Sequence, residues 1–243
     1  MNGGYGFSES WTPGMGVDEL RAVWRNVENY VEAVIPDATK EHASREGAVQ
    51  AAASVFSSRD RVMVDREVAL HFKDIATKKR IFAEITGSIL PAIRGISGVP
   101  GKPPSSFGGE CDLLALDSTG RLLAVEVKPR GTGSIVWSGV QATVYARLLQ
   151  MWLDARPQGT DAPTTVIHGM LEQRSRLGLA PKGARHLAEQ PVAVPVVAIQ
   201  RGANLVYLDR MKKVQEALLA KGRGDAALEV YEVSMAGRLD RLI

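Results

Sequence analysis

The chain has 243 residues, 45% of them hydrophobic and 23% charged, with a formal net charge of +3. This is the composition of a soluble globular protein built on one large domain, and a domain that grips a polyanion by charge alone would be more basic. A single cysteine excludes an intramolecular disulfide and a cysteine-rich zinc site, and no apolar run approaches the ~18 residues that a membrane crossing needs.

The first residues lack the charged-then-apolar layout of a signal peptide, so the expected location is cytoplasmic, with no membrane partner. Residues 1–16, rich in Gly, Ser and Pro, read as a disordered arm. From Val17 the pattern turns helical, and Leu20, Val23, Trp24, Val27, Tyr30, Val31 and Val34 form one stripe, so 17–36 is an N-terminal helix closed by Pro36. The remainder, 37–243, reads as a single α/β domain.

Asp37 is placed to cap a second helix, from about Ala38 to Phe56, whose apolar face is Val49, Ala52, Ala53 and Phe56. Glu46 lies three residues before Val49, on or beside that face. A glutamate reaching water at the edge of the stripe and a glutamate kept for chemistry account for this position equally well. Arg61 to Leu70 reads as a strand, and Lys78 to Leu90 as a helix with Pro91 near its end. Residues 95–109, dense in Gly and Pro, form a long loop of the kind that usually carries function or is disordered.

Two apolar runs then flank Asp117-Ser118-Thr119-Gly120, the signature of a β-hairpin. The first strand carries Asp112, and the second carries Glu126 and Lys128, two apart and so on one face. Leu123, Val125 and Val127 fall on the other face, as core. Charges inside strands that otherwise look buried cost several kcal/mol unless they are paired or bind a metal. After the turn Pro129-Arg130-Gly131-Thr132-Gly133-Ser134, a helix is expected over 135–155, with Val136, Val140, Val144, Leu148 and Trp152 on one side and Gln141 and Tyr145 on an adjoining one. Residues 157–190 leave helix and strand open. A buried strand follows over 192–200, an amphipathic helix over 205–220 and a strand over 228–233.

Carboxylates and an ammonium in this arrangement suit metal-assisted phosphodiester hydrolysis. Asp112 and Glu126 on adjacent strands could converge on one hard divalent cation, Mg²⁺ or Mn²⁺. The backbone carbonyl of Val127 could be a further ligand, and Glu46 could complete the shell. Lys128 would assist the attacking water. Arg130, in its Gly-rich turn, is a candidate phosphate contact, with an ordinary solvated arginine as the alternative. For Glu126 and Lys128 the alternative is an ion pair on an exposed sheet face. Cys111 reads as a small buried residue, and His42, His71, His168 and His186 show no metal-ligand spacing.

Asp112, thirteen intervening residues and then Glu126-Val127-Lys128 resemble the PD-(D/E)xK nuclease superfamily, with wording most similar to its Holliday junction resolvase-like and small bacterial endonuclease-like branches. The resemblance covers roughly 40–155 and one later strand, and Cys111 stands where the family name has proline. It implies a restriction endonuclease-like core, a central mixed β-sheet flanked by helices, with an N-terminal helical extension and C-terminal additions. By the same resemblance Glu46 is the helical acidic residue, with Glu67 and Glu110 as alternatives. Gln141-Ala142-Thr143-Val144-Tyr145 resembles a Gln-x-x-x-Tyr motif in which the glutamine supports the active site and the tyrosine packs nearby or contacts nucleic acid. The implied activity is metal-dependent endo- or exonucleolytic cleavage of DNA, with RNA as another substrate of the same site and a homodimer as the assembly of relatives that cut both strands. The alternative is a weak or inactive member of the fold that binds nucleic acid or protein.

Overall fold

The computed structural model describes residues 45–243 apart from 56–57, 59, 71, 95, 97–98, 100–102, 109, 157, 160–161, 182–185, 235 and 243. The arm 1–16, the helix 17–36 and His42 of the expected second helix lie outside the described residues, as does His71. The chain divides into two units after Ala48. Of the first unit only Arg45–Ala48 are described, as the opening turn of a helix that runs unbroken to Val55.

The elements in order are α1 (Arg45–Val55), β1 (Arg61–Ala69), α2 (Ile75–Arg94), β2 (Glu110–Asp117), β3 (Leu122–Lys128), α3 (Ile135–Ala155), α4 (Pro163–Arg176), β4 (Ala193–Gln200), α5 (Leu205–Ala220), β5 (Glu229–Val233) and β6 (Leu239–Arg241). The six strands lie side by side in sequence order. β1/β2, β2/β3 and β5/β6 are antiparallel, whereas β3/β4 and β4/β5 are parallel. This is an α/β fold with a mixed open sheet flanked by helices, as the order of periodic segments predicts. Helical crossovers make the parallel pairs, short turns make β2/β3 and β5/β6, and α2 lies in the long connection between the antiparallel β1 and β2.

Alternation sorts the side chains to the two faces. Leu122 and Ala124 of β3 join a cluster with Val136, Val140, Val144, Leu148 and Leu149 of α3 and with Ile85, Ile89 and Ile93 of α2. Leu123, Val125 and Val127 join the opposite cluster, with Val49 and Ala53 of α1. All seven residues of β3 are buried, which is the pattern of a strand covered on both sides.

Three elements depart from expectation. α2 starts earlier than Lys78, because Asp74 Oδ1 accepts from the Thr77 N–H at 2.7 Å and caps the helix there. It also continues past Pro91, since Ile89 and Ile93 are both buried and carry the apolar stripe across the proline. Residues 163–176, left open from sequence, form α4, with Pro163 in its first turn and Ile167 and Leu171 as its buried side. The three-residue β6 had no sequence signal strong enough to be read.

The hairpin turn is held from both sides. Asp117 Oδ1 accepts from Thr119 N (2.9 Å), Thr119 Oγ1 (2.8 Å) and Arg121 N (2.9 Å), while Oδ2 accepts from Arg121 Nε at 2.7 Å. Burial pushes the Asp117 carboxyl up, but these donors together hold it below the ordinary carboxylate range. A depressed folded value means stability that is present above about pH 4 and is lost as pH falls through the folded value. Asp117→Asn is therefore expected to lower the urea midpoint at pH 7 and to narrow the gap between midpoints at pH 7 and pH 3.

Gly120 closes the same turn at φ +81°, and a Cβ there would meet Ala188 N at 2.5 Å and His186 O at 2.9 Å. Gly120→Ala combines a left-handed backbone with a clash against main chain and should cost about 2 kcal/mol or more in chemical denaturation.

Candidate metal centre

In the β2/β3 ladder Leu113 stands opposite Val125, so one step further Asp112 adjoins Glu126. The Asp112 carboxylate folds back on the partner strand, where Oδ2 accepts from the Val127 N–H at 2.7 Å. That bond fixes the side chain's direction where the regular ladder ends. Glu126 is 0% exposed and Lys128 7% exposed. Lys128 Nζ lies 2.6 Å from Glu126 Oε1. The pair is therefore a buried one, which removes the reading of an ion pair on an exposed sheet face. Its burial follows from β4, whose Val197 and Ile199 stand beside Glu126 and Lys128.

β3 and β4 are parallel, and Glu126 and Lys128 sit at their carboxyl ends, the edge at which open α/β sheets bind ligands. Glu46, half-buried, is carried by the first turn of α1, one turn before the core residue Val49. Within the second unit, Asp112 and Glu126 each offer a carboxylate oxygen to a group that could hold a metal ion, and these oxygens lie within 4.8 Å of each other. Glu67 and Glu110 are exposed and belong to no such group among the described residues. Glu67 pairs instead with Arg66 at 3.2 Å.

The donor set is all carboxylate oxygen, which suits a hard cation such as Mg²⁺ or Mn²⁺ rather than a thiophilic one. Two carboxylates against one ammonium leave a net negative charge at this sheet end, which a divalent cation would offset.

Gln141 and Tyr145 lie one turn apart on α3, and Gln141 Nε2 donates to the Tyr145 hydroxyl oxygen at 3.1 Å. Burial pushes the Tyr145 hydroxyl well above its ordinary range, and the carboxylates of Glu126 and Asp112 add to that rise despite the opposing Gln141 bond. Tyr145 thus stays a neutral phenol facing the acidic group. Cys111 is buried, with Sγ 3.1 Å from Leu113 O and 3.6 Å from Val125 O. Burial first, then Glu126 and Asp112, push its thiol up, so it is a packing group and not a nucleophile.

Arg130 is exposed in the turn after β3, and its backbone N–H donates to Gln200 Oε1 at 3.3 Å. Gln200, the polar last residue of the apolar strand β4, was not singled out from sequence. Its signal was a lone amide ending a buried run, next to the strand that bears Lys128.

Comparison with protein-family models, with curated proteins and with solved structures finds no match to this chain. Among the described residues no helix is long and apolar enough to cross a membrane.

Proposed function

We propose that the chain is a divalent-metal-dependent nuclease that hydrolyses DNA phosphodiesters. The observation that carries this reading is the approach of the Asp112 and Glu126 carboxylates to within 4.8 Å, with the Lys128 ammonium 2.6 Å from Glu126. The resemblance of Asp112 and Glu126-Val127-Lys128 to the PD-(D/E)xK pattern supports it from the sequence side.

Mg²⁺ or Mn²⁺ held by Asp112 and Glu126, with the Val127 carbonyl as a further donor and Glu46 as the helical acid that the resemblance assigns, would supply an acidified water and a countercharge for the scissile phosphate. The residues divide the remaining work. Asp112, locked by the Val127 N–H, presents its second oxygen in a fixed direction. Lys128 hydrogen-bonds the attacking water and offsets the negative charge that builds on the phosphorus centre. Gln141 holds the Tyr145 phenol as a neutral donor beside the acids. Arg130, exposed in the turn after β3, is the cation offered to a flanking phosphate.

The test is incubation of the chain with labelled single-stranded, duplex and branched DNA, and with RNA, with and without Mn²⁺. DNA cleavage that requires the metal is expected. Metal binding without cleavage of any substrate would replace this reading with that of a nucleic-acid-binding or interaction module on the same fold.

A further inference from the structure

The first two turns of α2 carry Lys78, Lys79 and Arg80, with Lys73 just before the Asp74 cap, and all four are exposed. Helix stability argues for the opposite placement. The N-terminal end of a helix is the positive end of its dipole, where carboxylates stabilise and cations do not. α2 has no acid in its first turn. Asp74 directs its carboxylate to the Thr77 N–H. The one intrahelical pair, Arg80 with Glu84 at 3.6 Å, runs cation first, the weaker orientation for an i,i+4 pair. Among the described residues Lys73, Lys78 and Lys79 have no carboxylate within ion-pair distance. A cluster of cations set against its own helix calls for an anion from outside.

The topology gives the cluster its place. β1 runs antiparallel to β2, with Ala69 opposite Glu110, so the chain leaves β1 at the sheet end where Asp112 enters β2. Phe72 and Phe82 meet edge to face at 6.1 Å, and Lys78 Nζ stands 5.8 Å from the Phe82 ring. Phe72, Ile81 and Phe82 pack on the core cluster that contains Cys111 and Tyr145. The basic turns of α2 therefore lie on the β1 side of the acidic group, and Arg130 lies on the β4 side. Cations on both flanks of an acidic metal centre are what a polyanion needs, because its phosphates are repelled by uncompensated carboxylates.

We infer that Lys73, Lys78, Lys79 and Arg80 form the docking track for the phosphate backbone of the DNA whose cleavage is proposed above. The inference rests on that reading for the identity of the polyanion. The cations make contacts that position the strand and carry no base preference.

The test compares the full chain with the Lys78→Gln/Lys79→Gln variant in two assays. The first is DNA binding by fluorescence anisotropy over a salt series in Ca²⁺, which occupies hard-oxygen sites while slowing cleavage. The second is Mn²⁺-dependent hydrolysis of bis(p-nitrophenyl) phosphate, a diester too small to touch α2. The variant should bind DNA more weakly at every sequence tested, with a log–log salt slope shallower by about 2, while hydrolysing the small diester at the parent's rate. An unchanged slope and affinity would overturn the track and leave the nuclease reading standing on the small diester. Absence of DNA binding by the parent, or tighter binding to RNA of the same sequence, would overturn it as well. A slope shift with no diester hydrolysis by either protein would support the track and fail the nuclease reading.

Discussion

Asp112→Asn should reduce metal-dependent DNA cleavage by roughly a thousandfold with little change in fold stability. The two effects separate because the carboxylate has two tasks. One oxygen accepts from the Val127 N–H at 2.7 Å, and the amide oxygen of Asn can take over that bond. The negative charge offered to the cation cannot be replaced. Mn²⁺ at 100 times its Kd would stabilise the parent by about 2.7 kcal/mol through linkage, so a rise in Tm with metal is the parallel readout. The Asn variant should lose most of that rise. Asp112→Ala should also lose activity, but it leaves the strand N–H without that acceptor and should cost about 1–3 kcal/mol in stability. Cleavage by the Asn variant at the parent's rate would remove Asp112 from the centre.

Lys128→Met carries the largest expected stability effect. Glu126 is fully buried, and its Oε1 lies 2.6 Å from the Lys128 ammonium. Removing one partner of a buried pair strands the other charge, at a cost of about 3–5 kcal/mol. The double variant Glu126→Gln/Lys128→Met should recover most of that loss, since neither charge remains, while staying inactive. Mn²⁺ should stabilise Lys128→Met more than it stabilises the parent, because the cation then supplies the missing countercharge. Denaturant midpoints of the three proteins, with and without Mn²⁺, measure both effects. A Lys128→Met variant as stable as the parent without metal would show that the pair contributes nothing.

The parts of the fold legible in the sequence are those in which one local period decides the element. The stripe through Val136, Val140, Val144 and Leu148 marks α3 at its observed bounds, and the alternation in Leu122–Lys128 marks β3 and its two faces. α2 reads too short from sequence because Pro91 is a strong breaker in isolation, whereas packing of Ile89 and Ile93 outweighs it in the folded chain. α4 gives a weak signal because its inward face rests on Ile167 and Leu171 alone. In the centre, the spacing of Glu126 and Lys128 is enough to place them together. Their burial is not, because β4, which covers them, lies more than sixty residues further along the chain. The choice among Glu46, Glu67 and Glu110 is likewise a matter of tertiary placement, since all three are carboxylates near the right point of the sequence.

The two outermost strands bear on how copies of the chain could meet. β1 carries Asp65, Arg66 and Glu67, with a register shift after Met63 and Glu67 at φ +53°. At the other border β6 is three residues long, and its Asp240 is held by Arg201 at 2.6 Å and by Arg238 at 2.8 Å. Charge, a bulge and brevity are the means by which proteins keep a sheet from adding foreign strands. Neither border invites intermolecular strand addition, so two-fold pairing of this chain would be built on helices and loops, and self-association into extended β-structure is disfavoured from both sides.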